Sequence, residues 1–202
     1  MTIPMLPFRI LVFLLSCVPL ALLLLDIATG SLGPDPGQTV TETLGLSALQ
    51  LLIVTLFMTP LARWTHWSGW IKVRRMVGLF AFFYAALHLM AFLQFILGWT
   101  DLWATFTKRP YIIFGSLAFL LLIPLAATST KAMVRRLGRR WKPLHRLIYP
   151  AVALVWLHFI FQARSDITEM VIYGLVVVFL LAIRGYWFGW HSLVPLRAAK
   201  RR

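Results

Sequence analysis

Acidic residues and cysteines are scarce in this chain. Its 202 residues include 6 Asp and Glu against 20 Lys and Arg, and one cysteine, Cys17. A single cysteine excludes an internal disulfide and any multi-cysteine metal or iron–sulfur site. Charged residues make up 13% of the chain and hydrophobic residues 60%, with a mean hydropathy of +0.83. This composition is too apolar for a disordered tail or for most soluble enzymes.

Six apolar runs are long enough to cross a membrane, which takes about 17–25 helical residues each. They cover residues 8–27, 44–62, 76–97, 111–127, 144–162 and 170–188. A backbone in lipid must satisfy its own hydrogen bonds, and the alternating pattern of a barrel strand does not occur. The predicted fold class is therefore an all-α integral membrane protein, a six-transmembrane-helix bundle. The segments between the runs are short, so residues 1–202 are predicted to form a single transmembrane domain.

The charges are distributed unequally between the two sides of such a bundle. Six spans place both termini and the loops at 63–75 and 128–143 on one side, with 17 basic residues and no acidic ones. The other side has 3 basic residues and all 6 acidic ones. The positive-inside rule then predicts a multi-pass membrane protein whose N- and C-termini are cytoplasmic. Topology and contact with membrane lipid thus account for the net charge of +14, and no nucleic-acid partner is expected.

Two histidines lie at matched depth in the apolar runs, where ionisable side chains mark candidate functional sites. His88 is 13 residues from the basic end of the third run, and His158 is 14 residues from that of the fifth. Both are about 20 Å deep. Two such imidazoles could ligate a haem iron between the third and fifth helices. Small residues in the spans, such as Gly78 and Gly115, could allow the close approach of a helix or a porphyrin. Hydrogen bonding between helices and a proton relay are the alternatives that spacing leaves open.

A third intramembrane histidine, His145, precedes His158 by 13 residues on the predicted fifth helix, with Pro150 as a potential kink between them. At the corresponding depth the third helix carries Arg74 and Arg75 instead of a histidine. A guanidinium is a poor iron ligand but can pair with a haem propionate. His145 is thus a candidate ligand of a second haem, a hydrogen-bonding partner of another cofactor, or a residue capping a helix.

Eight short motifs follow one another through nearly the whole chain. They are LGPDP at 32–36, TPLAR at 59–63, RRMVGL at 74–79, LHL at 87–89, RPY at 109–111, TST at 128–130, LGRRWKPLHRLIY at 137–149 and LH at 157–158. The segment at 137–149, followed by the histidine at 158, is the most specific of them. In this order the motifs resemble the MsrQ (YedZ) family, the haem-binding membrane subunits of periplasmic methionine sulfoxide reductase systems, within the ferric-reductase-like transmembrane group.

The resemblance implies b-type haem (heme b), in one or two copies, and electron transfer across the inner membrane. It implies a donor that is either a cytoplasmic flavin reductase or the quinone pool. The implied acceptor is a periplasmic, molybdopterin-containing methionine sulfoxide reductase subunit that repairs oxidised proteins. FMN is also associated with the family. Ferric-reductase relatives carry two histidine pairs for two haems, and this chain departs from that pattern at Arg74.

We therefore predict an electron-transfer subunit without catalytic residues of its own. His88 and His158 are expected to hold a haem in the outer half, and His145, with Arg74 or Arg75, to serve the inner half. The main alternative is a proton-coupled transporter or channel that uses intramembrane histidines. Such proteins often have internal repeats and buried carboxylates, and neither is evident in the sequence. A structural membrane anchor is a second alternative.

Overall fold

The computed structural model describes residues 4–100, 109–162 and 167–193, with side chains as far as Trp187. The helices in these ranges are α1 (Met5–Thr29), α2 (Pro36–Trp64), α3 (Gly69–Ala91), α4 (Pro110–Ala127), α5 (Lys131–Leu137), α6 (Trp141–His145), α7 (Ile148–Gln162) and α8 (Thr168–Leu193). A π-helical segment, Phe92–Leu97, extends α3, and a 3₁₀ turn, Gly138–Arg140, links α5 to α6. No β-strand occurs in the described ranges, so the all-α class is confirmed.

Five helices are long and apolar enough to span a membrane: α1, α2, α3 with its π-helical extension, α4 and α8. A sixth span results if the segment from α5 to α6 and the following α7 are counted as one bent element. Helix α2 begins eight residues before the second apolar run. The Asp35 carboxylate caps it by accepting from the Gln38 N–H at 3.0 Å, and Pro36 occupies the first helical position.

The fifth predicted span is not one continuous helix. A two-residue turn separates α6 from α7, and the helical segments on either side of it are bent by 45°. Pro150 explains this turn, because it has no N–H to donate to the carbonyl of Arg146 four residues earlier. That carbonyl instead accepts from the Tyr149 N–H at 3.0 Å. His145 and His158 therefore lie on different helices, and the prediction that they share one is wrong.

A tyrosine of α3 makes hydrogen bonds to the backbone of α1. Pro19 interrupts α1, and the hydroxyl of Tyr84 enters the helix at this point. It donates to the Ser16 carbonyl at 2.9 Å and accepts from the Leu20 N–H at 3.0 Å. The hydroxyl thereby contacts both a backbone carbonyl and a backbone N–H of the helical turn that contains Pro19. Tyr84 is 1% exposed, so no solvent can substitute for it.

We expect Tyr84→Phe to lower the free energy of unfolding by about 2 kcal/mol, because it removes two hydrogen bonds that join α3 to α1 at a buried position. The measurement is the thermal unfolding midpoint of the purified protein. Tyr173→Phe is the matched control, since it removes a single exposed bond from the Gln50 amide and should change the midpoint little. Equal midpoints for the two variants would contradict the role given to Tyr84.

The basic segments gather at one end of the bundle. Phe8 of α1 packs edge-on against Trp67 of the α2–α3 loop, with the ring centroids 4.6 Å apart. The Arg63 guanidinium, at the end of α2, lies 4.2 Å from the ring centroid of Trp187 in α8. The start of α1, the α2–α3 loop and the latter part of α8 therefore share an end, as the charge distribution predicts. We call it the basic end. The described acidic residues belong to the opposite ends of their helices: Asp26, Asp35, Glu42 and Glu169.

Candidate cofactor-binding site

The fold brings together the two histidines that were predicted to lie at matched depth. His88 is in the last turn of α3, and His158 is near the end of α7. Their ring centroids are 6.0 Å apart, and the ring planes are inclined at 80°. Two helices that are distant in sequence thus present a pair of imidazoles to each other.

Each imidazole is anchored to a neighbouring helix through the same ring atom. His88 Nδ1 lies 2.8 Å from the carbonyl oxygen of Thr41 in α2, and His158 Nδ1 lies 2.7 Å from that of Tyr111 in α4. A carbonyl oxygen can only accept, so each Nδ1 carries the proton and donates it. The Nε2 atom is left with its lone pair, and it points away from the anchoring helix. Histidines that ligate metals in proteins are commonly oriented by such a bond.

A glycine beneath each ring allows this close approach. A Cβ atom at Gly45 would lie 2.8 Å from His88 Nδ1, and one at Gly115 would lie 2.7 Å from His158 Nδ1. Each glycine is four residues after the carbonyl that anchors the ring, and each precedes its histidine by 43 residues. The helix pairs α2–α3 and α4–α7 therefore hold their histidines in the same way. The sequence shows no repeat, but the backbone arrangement occurs twice.

A close approach between helices is found at Gly115, where the His158 ring occupies the space of a side chain, and not at Gly78. A Cβ atom at Gly78 would meet Thr55 at 3.8 Å, which is an ordinary contact. The equivalent glycine, Gly45, was missed. Its separation of 43 residues from His88, equal to that between Gly115 and His158, is the sequence signal that could have revealed it.

The histidine pair fits haem better than a bare metal ion. An iron atom bonded to both Nε2 atoms at about 2 Å would hold the ring centroids about 6 Å apart, close to the observed 6.0 Å. Among the described residues no group of three His, Cys, Asp or Glu side chains could hold a metal ion. Two protein ligands are enough only when a macrocycle supplies the remaining donors.

A second group of polar side chains surrounds His145, nearer the basic end. His145 Nδ1 donates to the carbonyl of Trp141 at 3.2 Å, and its ring stacks on the Trp141 indole with centroids 3.9 Å apart. Its Nε2 atom is buried and has no hydrogen-bond partner in the described part of the chain. The Leu125 carbonyl, which accepts from the Ser129 hydroxyl at 2.6 Å, lies near the His145 ring and acts on it electrostatically, but it makes no hydrogen bond with Nε2. His145 thus also offers an uncommitted ring nitrogen.

Two arginines share a hydroxyl next to this histidine. Arg74 Nη1 donates to Thr59 Oγ1 at 3.3 Å, and Arg184 Nη2 donates to the same oxygen at 3.1 Å. Arg184 also donates to the Tyr149 hydroxyl at 3.0 Å, and Arg74 is close enough to act electrostatically on both Arg184 and His145. No described acidic residue pairs with either guanidinium. This end of the bundle therefore holds two neighbouring cations without a protein anion.

Arg184 is 3% exposed although it lies in an apolar helix. Pro60 explains part of its placement, because a proline has no N–H to donate to the carbonyl of Leu56 four residues earlier. Arg184 Nη2 donates to that carbonyl at 2.7 Å. Its Nε atom remains buried without a partner in the described structure. The bonds of Arg184 satisfy the helix backbone and leave its charge uncompensated.

Comparison with known proteins agrees with this architecture. Residues 44–161 match the family described as ferric reductase like transmembrane component. The chain is 43% identical over 180 residues to the protein-methionine-sulfoxide reductase heme-binding subunit MsrQ of Rhodospirillum rubrum, which covers 87% of this chain and 86% of the relative. The chain belongs to the MsrQ family. No solved structure matches it.

In this MsrQ-family chain, the segment that matches the ferric-reductase-like family covers the pair formed by His88 and His158. The matched part of the chain includes both histidines and the glycine beneath each ring: Gly45, His88, Gly115 and His158. It also includes Arg74 and His145, whereas Arg184 lies beyond it. The chain is accordingly a multi-pass membrane protein.

Arg74 and Arg75, which were predicted to serve the same inner site, have different environments in this MsrQ-family chain. Arg74 donates to Thr59 inside the bundle, whereas Arg75 is exposed and lines a pocket with other basic residues. Sequence reasoning treated Arg184 only as part of the basic side. It is the one charged residue between Met170 and Trp187, and that isolation was the signal of a buried role.

Proposed function

We propose that the chain is the b-type haem subunit that carries electrons across the bacterial inner membrane to a periplasmic methionine sulfoxide reductase. The observation that carries this proposal is the pair formed by His88 and His158, 6.0 Å apart, with each Nδ1 committed to a backbone carbonyl. The likeness to the heme-binding subunit of Rhodospirillum rubrum supports it.

The residues of this site would hold the haem and fix its orientation. Bound haem would supply an iron centre that takes up and gives back one electron without making or breaking covalent bonds. His88 and His158 would hold the haem through their Nε2 atoms, with each ring oriented by its bond to the carbonyl of Thr41 or Tyr111, and haem held by two protein nitrogens would transfer electrons without binding a substrate. The arrangement therefore supports electron transfer rather than catalysis, with the chemistry on methionine sulfoxide left to a molybdopterin-containing partner subunit.

The direction of transfer follows from the charge distribution. The basic end is expected to face the cytoplasm, so electrons would enter there from a flavin reductase or the quinone pool. His88 and His158 lie towards the opposite end, which would face the periplasm, where the partner subunit would accept the electrons. The rival function, proton transport, has no described carboxylate in the bundle interior to support it.

We further propose that His145, Arg74 and Arg184 serve a second cofactor in the inner half. The two guanidiniums suit the acid groups of a cofactor, which are propionates in haem and a phosphate in FMN. Haem is the better match, because His145 offers a buried ring nitrogen without a partner and FMN needs no such ligand. Arg184 replaces Arg75 in this assignment.

His145→Ala is expected to lower the haem content from two per chain to one and to leave the low-spin spectrum of the outer haem unchanged. The missing Nε2 ligand is the physical reason. Haem is counted by the pyridine haemochrome assay against protein mass, with flavin fluorescence measured on the same sample. One haem per chain in both proteins, with no flavin, would contradict an inner cofactor. One haem per chain together with flavin, in both the wild-type protein and the variant, would indicate that FMN and not a second haem is the inner cofactor.

The proposed function is tested by reoxidation of the reduced protein. The chain is reduced under anaerobic conditions, freed of excess reductant and mixed with the catalytic subunit of a methionine sulfoxide reductase system and methionine sulfoxide. We expect the haem absorbance to return to the oxidised form only when both are present. A haem that stays reduced with both, or that reoxidises equally without the subunit, would contradict the proposal.

A further inference from the structure

A pocket of about 320 Å³ opens at the basic end, on the outside of the bundle. Four basic side chains from three separate helices line it: Arg9 of α1, Lys72 and Arg75 of α3, and Lys131 of α5. All four are exposed, and no acidic residue lines the pocket. The convergence of like charges from three helices costs free energy unless an anion occupies the space between them.

The charges are confined to one part of the pocket. Along α3, Lys72 and Arg75 are followed by Met76 and Leu79, which also line it. Leu79 lies about 10 Å further from the basic end than Lys72 at 1.5 Å per residue. It is 39% exposed, on a surface of α3 that the bundle leaves uncovered. The pocket therefore offers a cationic mouth and an apolar floor that leads towards the membrane interior.

We propose that this pocket binds one anionic phospholipid of the leaflet at the basic end. Its phosphate would lie among the four basic side chains, and an acyl chain would follow Met76 and Leu79 along α3. A water-soluble phosphate compound would use the cationic mouth alone, whereas a lipid uses both parts. Basic pockets between membrane helices bind anionic head groups by these forces.

The lipid site is distinct from the inner cofactor group. Arg75 turns outward to the pocket, whereas its neighbour Arg74 turns inward to Thr59, so one turn of α3 takes part in both. The lipid proposal does not depend on haem binding, and each can fail without the other.

The test is native mass spectrometry of the full-length protein, titrated in detergent with phosphatidylglycerol or with phosphatidylcholine of the same acyl chains. We expect one phosphatidylglycerol to be held per chain and phosphatidylcholine to bind at least 10-fold more weakly. Two double variants, Arg9→Gln with Lys131→Gln and Lys72→Gln with Arg75→Gln, should each weaken this binding by about 30-fold, from the usual contribution of two basic residues near an anionic lipid surface. Because the two variants alter different helices, a folding defect in one leaves the other informative.

The matched control is Arg135→Gln with Arg139→Gln, which removes the same charge from exposed positions of the basic end outside the pocket. It should change lipid binding by less than about threefold, since it leaves the pocket intact. An equal loss of lipid affinity in the control would show that the total positive charge of the basic end, and not the pocket, attracts the lipid. That result would overturn the proposal. Equal binding of phosphatidylcholine, or displacement of the lipid by millimolar glycerol 3-phosphate or FMN, would also overturn it.

Discussion

His88→Ala and His158→Ala should each lower the haem occupancy of the outer site at least 10-fold, since removal of supporting groups alone commonly costs 10- to 100-fold in metal affinity. Each variant deletes one of two imidazole rings whose centroids lie 6.0 Å apart, and the described residues offer no group of His, Cys, Asp or Glu that could take over its role. The measurement is the reduced-minus-oxidised absorption spectrum of the purified variant, normalised to protein.

A structural role for these histidines is distinguished by adding back the missing ligand. His88→Gly and His158→Gly, purified with free imidazole, should regain a low-spin spectrum if the side chain serves as an iron ligand. His66→Ala, in the loop between α2 and α3, is the control and should retain full haem. A low-spin spectrum that survives both alanine substitutions would remove His88 and His158 from the site.

The second large effect is expected at residues that would never touch iron. Gly45→Ala and Gly115→Ala each introduce a methyl group 2.7–2.8 Å from the Nδ1 atom of a histidine ring. Real Cβ atoms do not come this close, so the ring must move and its bond to the Thr41 or Tyr111 carbonyl must lengthen or break. We expect haem affinity to fall about 10- to 100-fold, the usual cost of losing the group that orients a ligating histidine.

Gly78→Ala is the matched control for both glycine variants. Its new methyl group would lie 3.8 Å from Thr55, an ordinary contact, and alanine is the better helix former. Haem content should stay at the wild-type level, and the thermal midpoint should be equal or higher. Haem is measured per chain after purification, together with the thermal midpoint. Full haem occupancy in Gly115→Ala would show that the glycine contact does not position His158.

The helices and the histidine pair could be predicted from the sequence because both depend on local patterns. Apolar run length predicts a membrane helix, and the number of residues from the basic end gives the depth of His88 and His158. The bend before α7 was harder to predict from the sequence. A proline can kink a helix or begin one, and the carbonyl bonds around Pro150 decide between these outcomes.

The environment of Arg184 depends on residues far away in the chain. Its side chain donates to the carbonyl of Leu56, 128 residues earlier, which Pro60 leaves without a helical donor. No local sequence pattern connects Arg184 with Leu56. The anchoring glycines present the same difficulty, since Gly45 acquires its role only when α3 packs on α2. Composition and spacing thus predict which residues are candidates, and tertiary packing decides which of them meet.

The most direct test of the central claim is carbon monoxide binding to the reduced His145→Ala protein in lipid nanodiscs, because this variant should keep only the haem between His88 and His158. If His88 and His158 both ligate one haem iron, the reduced protein will show a low-spin b-type spectrum that carbon monoxide does not change within minutes. A well-folded protein without haem, or a high-spin spectrum that shifts at once on addition of carbon monoxide, would contradict the account.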